Sequence, residues 1–435
     1  GVNALAAVGS TGSVNFMIIG FCIGVCNGFA IPVAQKFGEK NFSQLRKFAA
    51  NGAWLSLGFA AVMTTVICML CRNILLWMNT PEDIIDFAYS YIVVIFLGIP
   101  ATYLYNMVSG ILRSLGDSKT PLYFLVMSSV LNVALDLFTI LVLKMGVAGA
   151  AWATVISQAV SGILCLLYMV KHFEILHMTK KEALPNKDMM KVLCGFGIPM
   201  GLQYSITAIG SIILQVAVNG LGSMSVAAMT AASRIGMFFC CPFDALGSTM
   251  ATYGGQNIGA RKLHRIGEGL KAAVLMGSVY SFLALAVLFT FGNTIALLFL
   301  DSDQVQILSQ VKQYLLITSS FFIPLVLVNV VRFLIQGMGY SKRAMFAGVC
   351  EMAARTAVGF LLVPRFGFLA ACFASPSAWI AADLFLIPSY FSIMRKLSRD
   401  ESGTNTPAAN NLLNPIEKQP SKRGFFFGKL HVRDI

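Results

Sequence analysis

The sequence predicts an all-α, polytopic membrane protein made of two parallel helical repeats. Three observations carry that reading. Hydrophobic residues make up 57% of the 435-residue chain and charged residues only 12%, against about 25% charged in soluble domains; the mean hydropathy is +0.75. The apolar residues fall in runs long enough to cross a hydrocarbon core of about 30 Å. A pattern also recurs at a near-constant offset: Ala6 and Ala7 with Ala227 and Ala228, Gln35 and Gly38 with Gln256 and Gly259, Gly146 and Ala150 with Gly367 and Ala371. Between them, Asn106, Gly116, Ser118 and Lys119 match Asn329, Gly339, Ser341 and Lys342. One match means nothing, but an offset held across the chain marks an internal duplication.

Eleven spans are expected, near 8–34, 46–70, 86–112, 121–143, 148–170, 190–219, 226–252, 268–291, 311–335, 344–363 and 369–394. Backbone groups in lipid must be bonded within the segment, so each is a helix. The second half opens with the apolar stretch 190–220 before the part that matches Ala6 onward, and its partner by offset would precede residue 1. Twelve helices are therefore expected, of which the chain holds eleven and lacks the first. The domain reading is an N-lobe at 1–170, an inter-lobe linker at 171–189, a C-lobe at 190–396 and a tail at 397–435. The tail is polar and is expected to be disordered; its Phe425–Phe427 cluster, flanked by basic residues, either touches anionic lipid or is passive.

The formal charge is +13, and its placement decides what it means. Most Lys and Arg fall in the loops 36–47, 113–120, 171–189, 258–268 and 339–343 and in the tail. Arg72, Lys144, Lys312 and Arg365 lie on the other side, and Arg234, Arg332 and Arg355 lie within spans. That asymmetry makes the first side cytoplasmic, and matching loops share a side, so the repeats are parallel, the arrangement of an axis along the membrane normal. No basic stretch is interleaved with aromatics, so no nucleic-acid partner is expected; the lipid bilayer is the surrounding medium and a monomer is the expected state. Ten cysteines lie in or beside apolar runs and all four histidines in loops or the tail. Cys22 and Cys26 share a helical face without a His, so they read as small hydrophobes rather than metal ligands. No catalytic residue and no cofactor is assigned.

Pro100 follows Gly98 and Ile99, and Pro324 follows Phe322 and Ile323, so one helix of each half carries a break at an equivalent depth. Such breaks are tolerated where neighbours or a water-filled cavity satisfy the freed carbonyls. Pro100 and Pro324 are candidate hinges, with a static kink as the alternative.

Several motifs name a family when taken together. They are Ala4–Gly9 (ALAAVG), Pro242–Ala260 (PFDALGSTMATYGGQNIGA), Ser109–Lys119 (SGILRSLGDSK) with its twin Arg332–Lys342 (RFLIQGMGYSK), and Gly146–Trp152 (GVAGAAW). From residue 1 to about 396 the chain resembles the multidrug and toxic compound extrusion (MATE) family. The resemblance implies two six-helix lobes, export of amphipathic and often cationic drugs, and coupling to inward H+ or Na+. Some members carry a coupling carboxylate on the first helix, and no residue here takes that role.

Charges within spans supply the candidate site. An ionisable group at mid-membrane costs about 2.5–3.5 kcal/mol on insertion scales, so it faces a cavity or a partner. Asp136 lies mid-span, one turn after Asn132 on the same face. A carboxylate there can take up a proton when desolvated and release it when water or a cation arrives; the resemblance points the same way, and the alternative is a structural hydrogen bond to a neighbouring helix. Asp244, between Pro242 and Gly247, is placed in an irregular stretch whose free carbonyls could help hold a cation. Ten helical residues, about 15 Å, keep it from bonding Arg234 directly. Glu351 and Arg355 have the i, i+4 spacing of an intrahelical ion pair. Asp383, after Trp379, and Gln203 and Tyr204, beside an expected kink at Pro199, are further cleft candidates.

These residues point to a secondary active exporter of small-molecule drugs or organic cations that works by alternating access. A lipid-linked precursor flippase of the same superfamily is the alternative and would need a strongly cationic cavity. An intramembrane enzyme would need a nucleophile–base pair or a two-metal carboxylate cluster, and neither is legible.

Overall fold

The computed structural model describes residues 7–78, 80–297 and 305–401. Among them the regular structure is helical throughout. The first half comprises α1 (Gly12–Gly38), α2 (Phe42–Trp77), α3 (Ile85–Leu97), α4 (Ile99–Ser114), α5 (Lys119–Leu137) and α6 (Gly146–His172). The second comprises α7 (Lys187–Asn219), α8 (Ser223–Gly259), α9 (Leu263–Ala296), α10 (Val305–Ser320), α11 (Phe322–Gly337), α12 (Ser341–Ala357), the short α13 (Val363–Phe366) and α14 (Phe368–Cys372), and α15 (Ala374–Glu401). Nine helices among the described residues are long and apolar enough to span a membrane, and the bent pairs α3–α4 and α10–α11 bring the count to as many as 11. The fold class is the one the sequence predicts.

The breaks fall where proline dictates. The α3–α4 pair bends by 42° at Gly98 and the α10–α11 pair by 52° at Phe321, because neither Pro100 nor Pro324 can donate a backbone hydrogen bond to the preceding turn. Pro199 and Pro242 behave differently: α7 and α8 run through them as continuous helices. The irregular stretch expected at Asp244 is therefore corrected to regular helix, and at Pro199, beside Gln203, the helix is not interrupted. The expected disorder is likewise corrected at 397–401, where α15 continues to Glu401; residues 402–435, the Phe425–Phe427 cluster included, lie outside the described residues.

Matched positions of the two halves adopt the same unusual backbone. Gly116 and Gly339 have φ of 94° and 103°, Gly146 and Gly367 of 61° and 63°, left-handed values that glycine adopts without a Cβ clash. A π-helical turn ends both α5 and α12, at Phe138–Val142 and Val358–Leu362.

Each half packs its own core. Phe29, Phe48, Phe96 and Tyr103 are buried in the first, and Phe243, Phe322, Leu334 and Trp379 in the second. The halves meet along α1, which packs against α7 and α8. Lipid tails give apolar helices no reason to prefer one another, so association depends on close backbone approach over small residues. On α1, a Cβ at Gly24 would lie 2.6 Å from the Met200 carbonyl and one at Gly28 2.5 Å from the Gly197 Cα. At the basic end α1 crosses α8. A Cβ on Gly38 would overlap the Gln256 carbonyl, and one on Gly259 the Gln35 carbonyl. Two amides close this crossing reciprocally: Gln35 Nε2 donates to the Gly337 carbonyl (3.0 Å) and Gln256 Nε2 to the Ser114 carbonyl (2.9 Å).

The connection between the halves is bound to α2. Glu182 is buried and accepts from Arg46 Nε (2.9 Å) and Nη2 (2.7 Å), Ser43 Oγ (3.0 Å), and Thr179 N (3.0 Å) and Oγ1 (3.1 Å). Trp54 Nε1 donates to the Ala183 carbonyl and Asn186 N to Asn51 Oδ1. The Arg46 guanidinium, with these other donors, holds the Glu182 carboxyl well below the usual carboxylate range. Its stabilisation is therefore complete above the ordinary glutamate value of about 4.3 and fades only as pH falls through the depressed one.

Two outcomes follow. In Glu182→Gln, tryptic cleavage after Lys180 and Lys181 at neutral pH accelerates on the order of tenfold, because a charge-assisted bidentate pair is replaced by weaker bonds; an unchanged cleavage rate would show the strap is held by its other contacts. Gly259→Ala lowers the stability of the purified protein by about 1–3 kcal/mol in thermal denaturation, the range for overpacking a tight contact.

Candidate functional site

Of the first-half candidates, Asn132 lines a polar cavity of about 320 Å³ between α1, α3, α4, α5 and α6, whose walls also include Asn15, Tyr91, Thr102, Ser128, Thr154 and Gln158; Asp136 lies one turn beyond Asn132, outside that lining. The helices position these groups by placing polar residues on one face of otherwise apolar segments. Asn132 Nδ2 donates to Thr154 Oγ1 (3.4 Å), and Thr102 Oγ1 donates to Gln158 Oε1 (3.1 Å). Asp136 follows Asn132 by one turn and is half-buried, with Tyr91 as an electrostatic neighbour. Asp136 Oδ1 and Asn15 Oδ1 are both buried with no hydrogen-bond donor among the described residues. A buried acceptor without a donor is unfavourable, which sets these two oxygens apart from the hydrogen-bonded polar groups around them.

The second-half candidates form a different structure. Arg332 on α11 is bonded to Glu351 on α12, and Arg355 Nη2 lies 3.9 Å from the other carboxylate oxygen. The i, i+4 pairing of Glu351 with Arg355 read from the sequence is thus the looser contact, and the close partner comes from another helix. Asp383 on α15 is buried, with Oδ1 lacking a donor among the described residues. Arg332 interacts electrostatically with Arg355, Asp383, Tyr204 and Asp244. Two buried guanidinium groups therefore face two buried carboxylates. Gln203 on α7 is also buried and accepts from Gln336 on α11, which ties the helix packed against α1 to the helix that carries Arg332.

Between these regions lies a third. A cavity of about 680 Å³ has Asn106, Ser109 and Arg113 on one wall and Ser248, Thr252 and Gln256 of α8 on the other. Arg113, assigned from sequence to a cytoplasmic loop, sits in the last turn of α4 and donates through Nη2 to Asn27 Oδ1 (3.2 Å). Tyr204 lies among Asn27, Arg113, Arg332 and Asp244, and so connects both halves. Asp244 has an exposed side chain on α8, unlike Glu351 and Asp383.

The structure thus brings Asn132 and Asp136 together in one half, and Gln203, Tyr204, Asp244, Glu351, Arg355 and Asp383 around Arg332 in the other. Pro100 and Pro324 lie beside the breaks, away from these groups. Sequence reasoning passed over Asn15, Thr102 and Gln158, which were visible only as polar residues inside spans. Arg113 could have been found from its repeat partner, since the offset that pairs Asn106 with Asn329 pairs Arg113 with Gln336.

A family model described as MatE matches residues 1–138 and 199–361. Among curated proteins, the probable multidrug resistance protein YpnP of Bacillus subtilis (strain 168) is 30% identical over 354 residues, 79% of this chain and 76% of its own length. The probable multidrug resistance protein YoeA of the same strain is 28% identical over 311 residues, covering 70% and 67%. Among solved structures, the outward-facing conformation of a multidrug resistance MATE family transporter of the MOP superfamily superposes with a TM-score of 0.86 at 21% identity, over 91% of this chain and 89% of that one. At that identity the superposition shows the fold.

The buried pair generates a prediction with a sign test built in. Arg332→Met or Glu351→Leu alone costs about 3–5 kcal/mol, because the remaining charge is left buried without its partner, whereas the double variant loses less than the sum. Thermal denaturation of the four proteins of the cycle measures this, and strict additivity would mean that the two groups are not coupled.

Proposed function

The chain belongs to the MatE family of multi-pass membrane transporters, and on that premise we propose that it exports amphipathic, often cationic, small molecules in exchange for inward H+ or Na+ by alternating access. Transport rather than covalent chemistry is the business of this family, so the intramembrane-enzyme reading lapses. The multidrug names of the relatives support the substrate class. The flippase alternative is not favoured by the same relatives.

One observation carries the coupling proposal: Asp136 Oδ1 is a buried acceptor with no donor among the described residues, one helical turn from Asn132, which lines the first-half cavity together with Asn15. In this reading Asp136 holds the coupling ion and Asn132 lies beside it. Of the second-half carboxylates, Glu351 is paired with Arg332 and Arg355, so its charge is already met within the protein. Asp383 has no ion pair among the described residues but has the buried Arg332 as an electrostatic neighbour, a cation that Asp136 lacks. Asp244, exposed beside Tyr204, is the carboxylate of that half available to a substrate cation.

Alternating access requires the halves to separate at one end and then at the other. At the basic end, taken as cytoplasmic, the separation breaks the two reciprocal glutamine bonds and lifts Gly38 from Gln256. The bends next to Pro100 and Pro324 are the proposed places where the helices flex. Drug and ion drive export only to the extent that each binds the two conformers with different affinity.

Ethidium efflux from energised cells tests the proposal. Loss of efflux on adding a protonophore in sodium-free medium is the outcome for proton coupling, and a sodium requirement is the outcome for a cation site. Asp136→Asn should reduce coupled efflux on the order of tenfold, within the usual range of coupling energies, and remove its pH dependence. Unchanged efflux with an unchanged pH profile in that variant would take the coupling role away from Asp136.

A further inference from the structure

On the outer side of the first half, away from the polar cavity, a groove of about 480 Å³ runs between α2, α4 and α6 and is closed at one end by the linker residues Leu176–Met178. Apart from Ser56, Tyr103 and His177, every lining side chain is apolar. No carboxylate lines it, so nothing in the groove matches the positive charge of an organic cation.

We propose that this groove is a lipid site that takes one acyl chain of an anionic phospholipid, with the headgroup among the basic residues of the linker. The dimensions fit a chain. The groove extends from Ala49 to Ala60 on α2 and from Pro100 to Ile111 on α4; at a rise of 1.5 Å per residue each wall is about 16 Å long. One leaflet contributes about half of a 30 Å hydrocarbon core, roughly 15 Å.

The groove also opens in the right direction. Leu57, Val170 and Met178 on its rim are 64%, 55% and 41% exposed, and in a multi-pass protein such apolar rims face the bilayer. Ala49 and Ala60 are buried along the floor, where their small side chains leave the trough.

The closed end carries the complementary charge. Lys171, Lys180 and Lys181 are exposed around Leu176–Met178. In the stretch from Lys171 to Lys181 the only acid is Glu174, and Glu182 just beyond is occupied by Arg46. Basic clusters at the end of an intramembrane pocket are the recognition chemistry of anionic headgroups. The far end of the groove is Pro100, so a seated chain lies against the α3–α4 bend.

Native mass spectrometry of the detergent-purified protein, mixed with dioleoylphosphatidylglycerol or dioleoylphosphatidylcholine, tests this independently of transport. The wild type should retain one phosphatidylglycerol in preference to phosphatidylcholine. Leu57→Trp on one rim and Val170→Trp on the other should each reduce retention about tenfold, while Leu57→Ala keeps it. Replacing Lys171, Lys180 and Lys181 together by Gln should leave one lipid bound but erase the headgroup preference. Each tryptophan variant is scored only if its melting temperature matches the wild type, and the lysine variant provides a reading outside the helices. Undiminished retention in both folded tryptophan variants overturns the proposal, as does headgroup preference surviving in the lysine variant. Displacement of the lipid by ethidium would overturn it in favour of a small-molecule site.

Discussion

Close contact between α1 and the second half is the constraint on which the rest of the structure depends. In lipid, apolar surface alone does not choose a partner, so the halves are joined where side chains are absent. Gly24 and Gly28 allow α1 to lie against α7, and Gly38 and Gly259 allow α1 and α8 to cross backbone on backbone. Once backbones are this near, the amides of Gln35 and Gln256 reach carbonyls across the seam and set its register. The same seam brings α7 into place, and α7 delivers Gln203 and Tyr204 to the interior. Packing at the interface and the composition of the central polar region are therefore one decision.

The two halves share a backbone plan but divide their charges differently. The first half leaves a single mid-span carboxylate, Asp136, without a hydrogen-bond donor or an ion pair among the described residues, one turn from a cavity lined by amides and hydroxyls. The second places Arg332 and Arg355 against Glu351 and Asp383. A carboxylate paired with a guanidinium, as Glu351 is, is stabilised as an anion, whereas one with no cation partner responds to whatever comes near it. This contrast is why the proposed coupling role falls to the half with fewer charges. It also explains why Asp244, exposed on α8, differs from the carboxylates behind it. The linker repeats the first principle at the surface: Arg46 fills the acceptors of Glu182, so the connection is part of the first half rather than a slack tether.

Much of the architecture was legible because it depends on properties that add along the chain. Apolar runs gave the spans, and proline gave the breaks at Gly98 and Phe321. The duplication was legible in a few matched residues, and several of these adopt matched left-handed conformations. Proline did not mark a break at 199 or 242, where α7 and α8 stay continuous. Asn132 and Asp136 were found because a polar pair inside an apolar run is visible in one dimension. Glu351 was assigned to Arg355 because an i, i+4 neighbour is the partner that one helix can show. Its close partner, Arg332, is on another helix and depends on how α11 is rotated against α12.

The sequence by itself determined the solvent, the number of spans, the breaks and the family, since hydropathy, chain stiffness and motif are local quantities. Tertiary structure alone decided which charges are neutralised, which acceptors remain open and where cavities lie. These depend on distances of a few ångströms between helices far apart in the chain, and apolar helices of the same composition can be rotated to present any of their faces. Arg113 shows the difference most plainly: a loop cation by sequence, it is placed by the last turn of α4 on Asn27 and at the wall between the halves.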